Sequence, residues 1–366
     1  MAWAAAVILF WVWTLPFTEP TESNVICIFS EDCILPCSFQ AASDEVIHWN
    51  RNQTSVHAYY HDADRLTQQD HRFKGRTFLF KDLIKKGNAS LLLRNCTIQD
   101  SGRYHCYTST KQGNQDKLVN MKVHAPIQSV NITKMGQEVI CSSQDIYPAP
   151  SVSWATDPPT QSDMLNGSTP TTLDLRGLYL VWSKIMMLGN VSDYTYICSV
   201  TSADGMKWTT SMRQQEIYGE NGGDMTIPCL APETFKPHDF TLTWTLTRAN
   251  KSEVILTFQS LTRQISNQWK SQARVDPDQV LSGNGSLWLQ NLRNAHTGTY
   301  SCTFSAFQIQ HLVHTDVILA PRKDDQGFRI HASTIAAFVL AVLLGFIIFS
   351  VIHLRHLWSI RKIQEI

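Results

Sequence analysis

One short stretch carries side chains that could hold a metal or move a proton: His57, His61, Asp62, Asp64 and His71. Imidazole nitrogens and carboxylates are ordinary zinc ligands and ordinary general bases. Their spacing argues against both roles. On an extended strand His57 and His61 share a face but stand about 13 Å apart at roughly 3.3 Å per residue, beyond the reach of one ion. The stretch reads instead as a solvated edge. The sequence has no Gly-x-Ser-x-Gly elbow, no His-Glu-x-x-His helix and no phosphate-cradling glycine loop. Enzyme chemistry is therefore not expected, nor is a metal or cofactor. Thirty-one Lys and Arg balance 31 Asp and Glu without a basic cluster, which excludes nucleic acid as an expected partner.

The remaining reactive residues are nine cysteines. Six of them belong to a pattern that occurs three times: Cys37/Trp49/Tyr104/Cys106, Cys141/Trp154/Tyr196/Cys198 and Cys229/Trp244/Tyr300/Cys302. In an immunoglobulin sandwich two cysteines bridge the sheets, a tryptophan packs on the sulfurs, and a tyrosine two places before the second cysteine makes a corner hydrogen bond. The expected fold is all-β: three tandem immunoglobulin-like β-sandwiches followed by a single transmembrane α-helix. Cysteine separations of 69 and 73 positions need the extra strands of a variable-type domain, whereas 57 positions fit the seven-strand constant type. The divisions are 23–124 (variable), 125–218 (constant) and 219–321 (variable). Domain one offers Arg76 and Asp100 as a pair tying strand D to the E–F turn; domain three keeps Arg274 but has His296 for the aspartate, so its base is expected to be looser or pH-sensitive.

The ends set the compartment. An apolar run fills most of residues 1–22, expected to be a secretory signal peptide, and the charge-free run 332–352 is expected to cross a membrane. A stalk, 322–331, precedes the span, and a tail, 353–366, follows with Arg355, Arg361 and Lys362. The positive side marks the cytoplasm, giving a single-pass type I protein of the plasma membrane. Small residues every fourth place, Ser333, Ala337, Ala341 and Gly345, suit helix pairing and allow a homodimer. Sequons at Asn52, Asn88, Asn95, Asn131, Asn166, Asn190, Asn250 and Asn284 all lie between signal and span, as glycosylation of an extracellular part requires.

Three cysteines are left over. Cys33 lies four places before Cys37 and so points to the same inner face, while Cys96 lies at the end of strand E. A second bridge, Cys33–Cys96, is expected, the alternative being two buried free thiols. Cys27 then stays free or pairs with another chain.

Alternation around Trp49 and Cys106 also names an outward face. It comprises Val46, His48, Val56, Ala58, Tyr60, Tyr107 and Leu118. For a solvent-facing sheet this is apolar, and such patches mark interaction sites, with tyrosine enriched at hot spots.

Several runs carry a family resemblance: Ile34-Leu35-Pro36-Cys37, Glu45-Val46-Ile47-His48-Trp49, Gly87-Asn88-Ala89-Ser90-Leu91 and Asp100-Ser101-Gly102-x-Tyr104-x-Cys106. With the order variable, constant, variable, span, the chain resembles the B7/butyrophilin group of lymphocyte co-signalling ligands. The resemblance implies a surface ligand that engages an immunoglobulin-class receptor on lymphocytes through the outer sheet of domain one. A structural cell–cell adhesion molecule is the alternative.

Overall fold

The computed structural model describes residues 22–165, 167–189, 193–249, 251–320 and 323–363. The expected signal peptide, the sequons at Asn166, Asn190 and Asn250, and the last tail residues lie outside them.

Domain one has nine strands: β1 Glu22–Ile28, β2 Cys33–Leu35, β3 Val46–Arg51, β4 Thr54–Tyr60, β5 Ala63–Asp64, β6 Thr77–Leu79, β7 Leu91–Leu93, β8 Gly102–Thr110 and β9 Gly113–His124. A short helix, α1 Lys81–Ile84, joins β6 to β7. One sheet runs β1-β9-β8-β3-β4-β5 and the facing sheet β2-β7-β6, with β1 parallel to β9. Ile47 and Trp49 of β3 and Tyr104 and Cys106 of β8 point inward, and at most 1% of each is exposed. The period of two in these strands is what splits each between core and surface.

Domain two adds β10 Asn131–Met135, β11 Glu138–Ile146, β12 Ser151–Asp157, β13 Thr171–Leu173, β14 Tyr179–Met186, β15 Thr195–Thr201 and β16 Lys207–Glu220. Its sheets, β10-β11-β14-β13 and β12-β15-β16, have the seven-strand constant-type order. Domain three follows with β17 Met225–Ile227, β18 Thr241–Arg248, β19 Lys251–Gln259, β20 Gln264–Asn267, β21 Ala273–Arg274, a short helix α2 Pro277–Leu281, β22 Leu287–Leu289, β23 Gly298–Ala306 and β24 Ile309–Ala320.

The boundary expected at 218/219 falls inside β16. That strand pairs antiparallel with β15 up to Met212 and parallel with β24 from Thr209 to Glu220. It is therefore the last strand of domain two and the first of domain three, and one eight-stranded sheet, β12-β15-β16-β24-β23-β18-β19-β20, runs through both. Met212 lies in the core of domain two, whereas Ser211, on the opposite side of the strand, bonds to His311 next to Val313 and the core of domain three. The two second sheets thus cover opposite faces of the shared one.

The six cassette cysteines form Cys37–Cys106, Cys141–Cys198 and Cys229–Cys302. The expected Cys33–Cys96 bridge is not the one present. Cys27 joins Cys33, and Cys96 is a buried free thiol. Cys33 does face inward as alternation requires, but the turn after β1, with Ser30 at φ +68°, folds Cys27 back onto it.

After these domains α3, Lys323–Ile363, takes in the expected stalk from Lys323 onward and the expected span as one helix. Within it Ile335–Arg355 is long and apolar enough to cross a bilayer, with a mean hydropathy of 3.0 and none of the stretch buried. The chain is a single-pass membrane protein.

Candidate binding face

Three hairpins build the outer face of domain one. Asn52 and Gln53 both have positive φ, as do His61 and Asp62, so the β3–β4 and β4–β5 turns are tight two-residue reversals of the type that suits strand twist. The β8–β9 turn pairs Thr110 with Gly113, which sets Tyr107 opposite Asp116 and His105 opposite Leu118. On β3, His48 lies opposite Tyr107 on one side and Ala58 on the other.

An aromatic cluster results. The His48 ring is 6.0 Å from Tyr60 and 6.3 Å from Tyr107, within the range in which aromatic rings attract one another. Tyr60 also meets His61 edge-on at 5.5 Å and the Arg65 guanidinium at 5.5 Å. Val46, His48, Tyr60, Tyr107 and Leu118 are each partly exposed. Beside them His105 Nε2 lies 2.5 Å from an Asp116 carboxylate oxygen. The patch has an aromatic centre and a polar rim, the anatomy of a protein-binding hot spot.

Two of the residues expected on this face do not offer surface. The β3–β4 register slips between Trp49 and Asn50, where Trp49 pairs with His57 but Asn50 with Ser55. Val56 is the extra residue of this bulge, 0% exposed and packed in the core. Domain three repeats the device, with Ile255 skipped between Leu256 and Val254 and equally buried. Ala58 keeps the outward side of the register but is only 7% exposed, so it lies beneath the rings around it. Arg65 and Asp116 belong to the rim and were not among the expected residues. Asp116 follows from the β8–β9 hairpin once its turn is known; Arg65 reaches Tyr60 only because His61 and Asp62 reverse the chain.

The histidine stretch is not a solvated edge throughout. His61 and His71 are exposed, but His57 is 1% exposed and points inward opposite Trp49. Its Nδ1 is 2.9 Å from the Thr77 hydroxyl and its Nε2 is 3.3 Å from Asp64, which Lys81 also approaches at 2.8 Å. Burial holds the His57 pKa below its ordinary value despite the carboxylate. Burial acts in the opposite sense on Asp64, but hydrogen bonds from Lys81 and His57 outweigh it and hold that carboxyl below the usual range. These residues pin β4 and β5 beneath Tyr60. Among the described residues they form no group with metal-ligand geometry; the one such group of three sulfurs, carboxylates or imidazoles is Cys27, Cys33 and Cys96.

A repeated motif holds the opposite side of each variable-type domain. Gly87-Asn88-Ala89-Ser90 and Gly283-Asn284-Gly285-Ser286 are superposable in role. Ser90 Oγ accepts from Cys37 N–H and Ser286 Oγ from Cys229 N–H, while the indoles of Trp49 and Trp244 each donate to the carbonyl of the third residue at 2.8 Å. Asn88 and Asn284 accept from the backbone N–H of Ser90 and Ser286. These two sequons therefore also serve as turns, whereas Asn52, Asn95 and Asn131 are exposed.

The base of domain three is rebuilt around its histidine. In domain one Arg76 reaches both oxygens of Asp100, and Asp100 accepts from Thr97 N–H at 2.8 Å. His296 takes over only the second task, accepting from Arg293 N–H at 3.1 Å through Nδ1, and Arg274 lies on the Trp288 ring at 3.6 Å instead. His296 is buried, and burial, followed by Arg293 and Arg248, depresses its pKa.

The immunoglobulin V-set domain family matches residues 22–124 and 212–318, more than half of the chain and the two domains with the extra strands. Human HERV-H LTR-associating protein 2 is 28% identical over 67% of this chain and 59% of its own length. Human V-set domain-containing T-cell activation inhibitor 1 is 31% identical over 46% of this chain and 63% of its own. The chain thus spans about 60% of the length of these curated relatives. Among solved structures, the human B7-H4 IgV-like domain is 37% identical, covering 27% of this chain and 90% of that one, with a TM-score of 0.26. By this match and these relatives, the chain belongs to the immunoglobulin V-set family and, within it, to the non-enzymatic proteins of the B7/butyrophilin type.

Proposed function

We propose that the chain is a co-signalling ligand of the plasma membrane, held in type I orientation, which binds an immunoglobulin-class receptor on lymphocytes and modulates T-cell activation, proliferation and cytokine production. The observation that carries this reading is the His48, Tyr60 and Tyr107 cluster on an open sheet face, with His105, Asp116 and Arg65 at its rim. Val46 and Leu118 extend its apolar part. Such a face fits a flat, mixed apolar and polar partner surface, as another immunoglobulin sheet presents. Relatives support the class of partner: one is named a T-cell activation inhibitor, another a programmed cell death 1 ligand, and a solved similar chain is titled as ICOS in complex with ICOS-L. The sequon at Asn52 sits at the β3–β4 turn, four residues along from His48, so a glycan there borders the face rather than covering its centre.

The test is binding of the soluble ectodomain to a panel of cells that each display one lymphocyte receptor. The expected result is binding to a receptor of the immunoglobulin class that drops at least tenfold in Tyr60→Ala and Tyr107→Ala, a loss of about 1.4 kcal/mol or more. Ectodomain-coated beads that aggregate with one another and bind no lymphocyte receptor would make the chain an adhesion molecule instead.

A further inference from the structure

The three cysteines outside the cassettes lie together. Sγ atoms of Cys27, Cys33 and Cys96 are all within 4.8 Å of one another, with Cys27 and Cys33 bridged and Cys96 reduced. None belongs to the binding face. Cys96 is 0% exposed and held from two directions: its N–H donates to the Glu31 carbonyl and its carbonyl accepts from Ser30 N–H, both in the turn that links Cys27 to Cys33. The backbone of Cys96 is thus fixed against that turn, and its thiol, which donates to the Leu93 carbonyl at 3.7 Å, lies beside the bridge. With two sulfurs bridged, the cluster offers a cation a single thiol, which is not a metal site.

We propose that this triad is a thiol–disulfide exchange site at which the bridge moves between Cys27–Cys33 and Cys33–Cys96. The Cys96 thiol gives its proton to water, and the thiolate attacks Sγ of Cys33. The Cys33–Cys96 bond forms as the Cys27–Cys33 bond breaks, and Cys27 leaves as a thiolate that takes up a proton. One disulfide is lost and one gained, so no outside oxidant or reductant is consumed. Cys33 is the sulfur attacked because β2 and β7 are neighbours, with Cys33 paired to Leu93 three residues before Cys96. A bridge there joins β2 to the chain just beyond its ladder partner β7.

The exchange changes what is tied to what. In the present isomer the bridge fastens the end of β1 to the start of β2. In the other it ties the start of β2 to the segment just after β7, and β1 is held by its ladder to β9 and by the Glu22–Arg103 pair at its start. That end of β1 borders domain two: Ile26, Lys122, Val123 and His124 line a cleft of about 490 Å³ with Tyr147, Pro148, Ala203 and Asp204. The position of the bridge therefore sets how firmly domain one is anchored at that cleft. The step is slow at neutral pH. Burial, with a further contribution from Asp100, pushes the Cys96 thiol up to about 12, and Arg76 only partly offsets this.

Purified full-length chain is held without added thiol at pH 7, 8 and 9, quenched in acid, alkylated after denaturation and digested without reduction for mass spectrometry. Expected are peptides linked Cys33–Cys96 and alkylated Cys27, growing as Cys27–Cys33 declines, at a rate that rises roughly tenfold per pH unit as the thiolate fraction rises. Cys37–Cys106 stays constant and reports an intact sandwich. Cys96→Ser keeps Cys27–Cys33 alone at every pH, and Cys27→Ser is isolated with Cys33–Cys96 already formed. Two results overturn the proposal: Cys27–Cys33 as the sole linkage of these three residues in the native chain at all pH values, or a folded Cys27→Ser chain in which Cys33 and Cys96 are both alkylated.

Discussion

Buried charge is where single side chains matter most. The Asp100 side chain is 4% exposed and its partner Arg76 23%. Replacing Arg76 by alanine leaves a carboxylate in the core with only Thr97 and water to face, which costs about 3 kcal/mol. Urea unfolding followed by domain one fluorescence should show that loss in Arg76→Ala. Arg274→Ala should cost under about 1 kcal/mol, because Arg274 lies exposed on Trp288 and pairs with no buried acid. An equal loss in both variants would show that the two bases work alike, against the geometry of His296. On the binding face, Val56→Ala should behave as a core change, lowering stability by about 1–3 kcal/mol, because Val56 fills the core rather than the surface. Receptor binding, scaled to folded protein, should remain within twofold.

At the scale of elements, the three cassettes, the variable-type strand count and the outward positions Val46, His48, Tyr60, Tyr107 and Leu118 could be read from residue spacing, because a strand's period of two and the cysteine separations are local facts. What could not be read is set by events between strands. The β3–β4 bulge turns Val56 inward, and nothing in Val56-His57-Ala58 marks the slip. Cys27 finds Cys33 through a turn whose geometry depends on Ser30, so choosing among three cysteines needed the folded neighbourhood. The run through β16 was hidden because a strand that changes partners looks like one ordinary strand. The repeated Gly-Asn-x-Ser, by contrast, was visible twice and carries a checkable demand. Gly87 has φ +84°, and a Cβ there would lie 2.3 Å from the Phe39 carbonyl oxygen. Gly87→Ala must both strain the backbone and displace β2's continuation, so the domain one transition should fall by several degrees, about 2 kcal/mol or more.

For the whole molecule, the shared sheet joins domains two and three into one unit, and domain one stands apart on its own core. Calorimetry of the ectodomain should show two transitions, one for domain one and one for the joined pair, because β16 cannot leave domain two without unpairing β24. Acid should move the second more than the first. His296, His311 and His314 of domain three all have pKa values depressed chiefly by burial, His311 to about 4, and His57 of domain one is depressed in the same way. A histidine whose folded pKa lies below its unfolded value of about 6.5 binds more protons once unfolded. Its contribution is complete above that value and is lost as pH falls toward the folded pKa. For His311, the loss is about 1 kcal/mol at pH 5.5 and about 3 kcal/mol once pH is below 4. The depressed carboxyls, Asp64, Asp70, Asp174 and Asp204, begin to weaken the fold only below their ordinary value of 3.8, so the range from 6.5 to 4 separates the histidines from them. His311 also bonds to Ser211 on the shared strand at 2.7 Å, which places its protonation at the seam itself. His311→Gln should therefore flatten the pH dependence of the joint transition between 6.5 and 4 while leaving that of domain one unchanged. If the slope persists in that variant, the acid sensitivity belongs to His296 and His314, and the seam has no part in it.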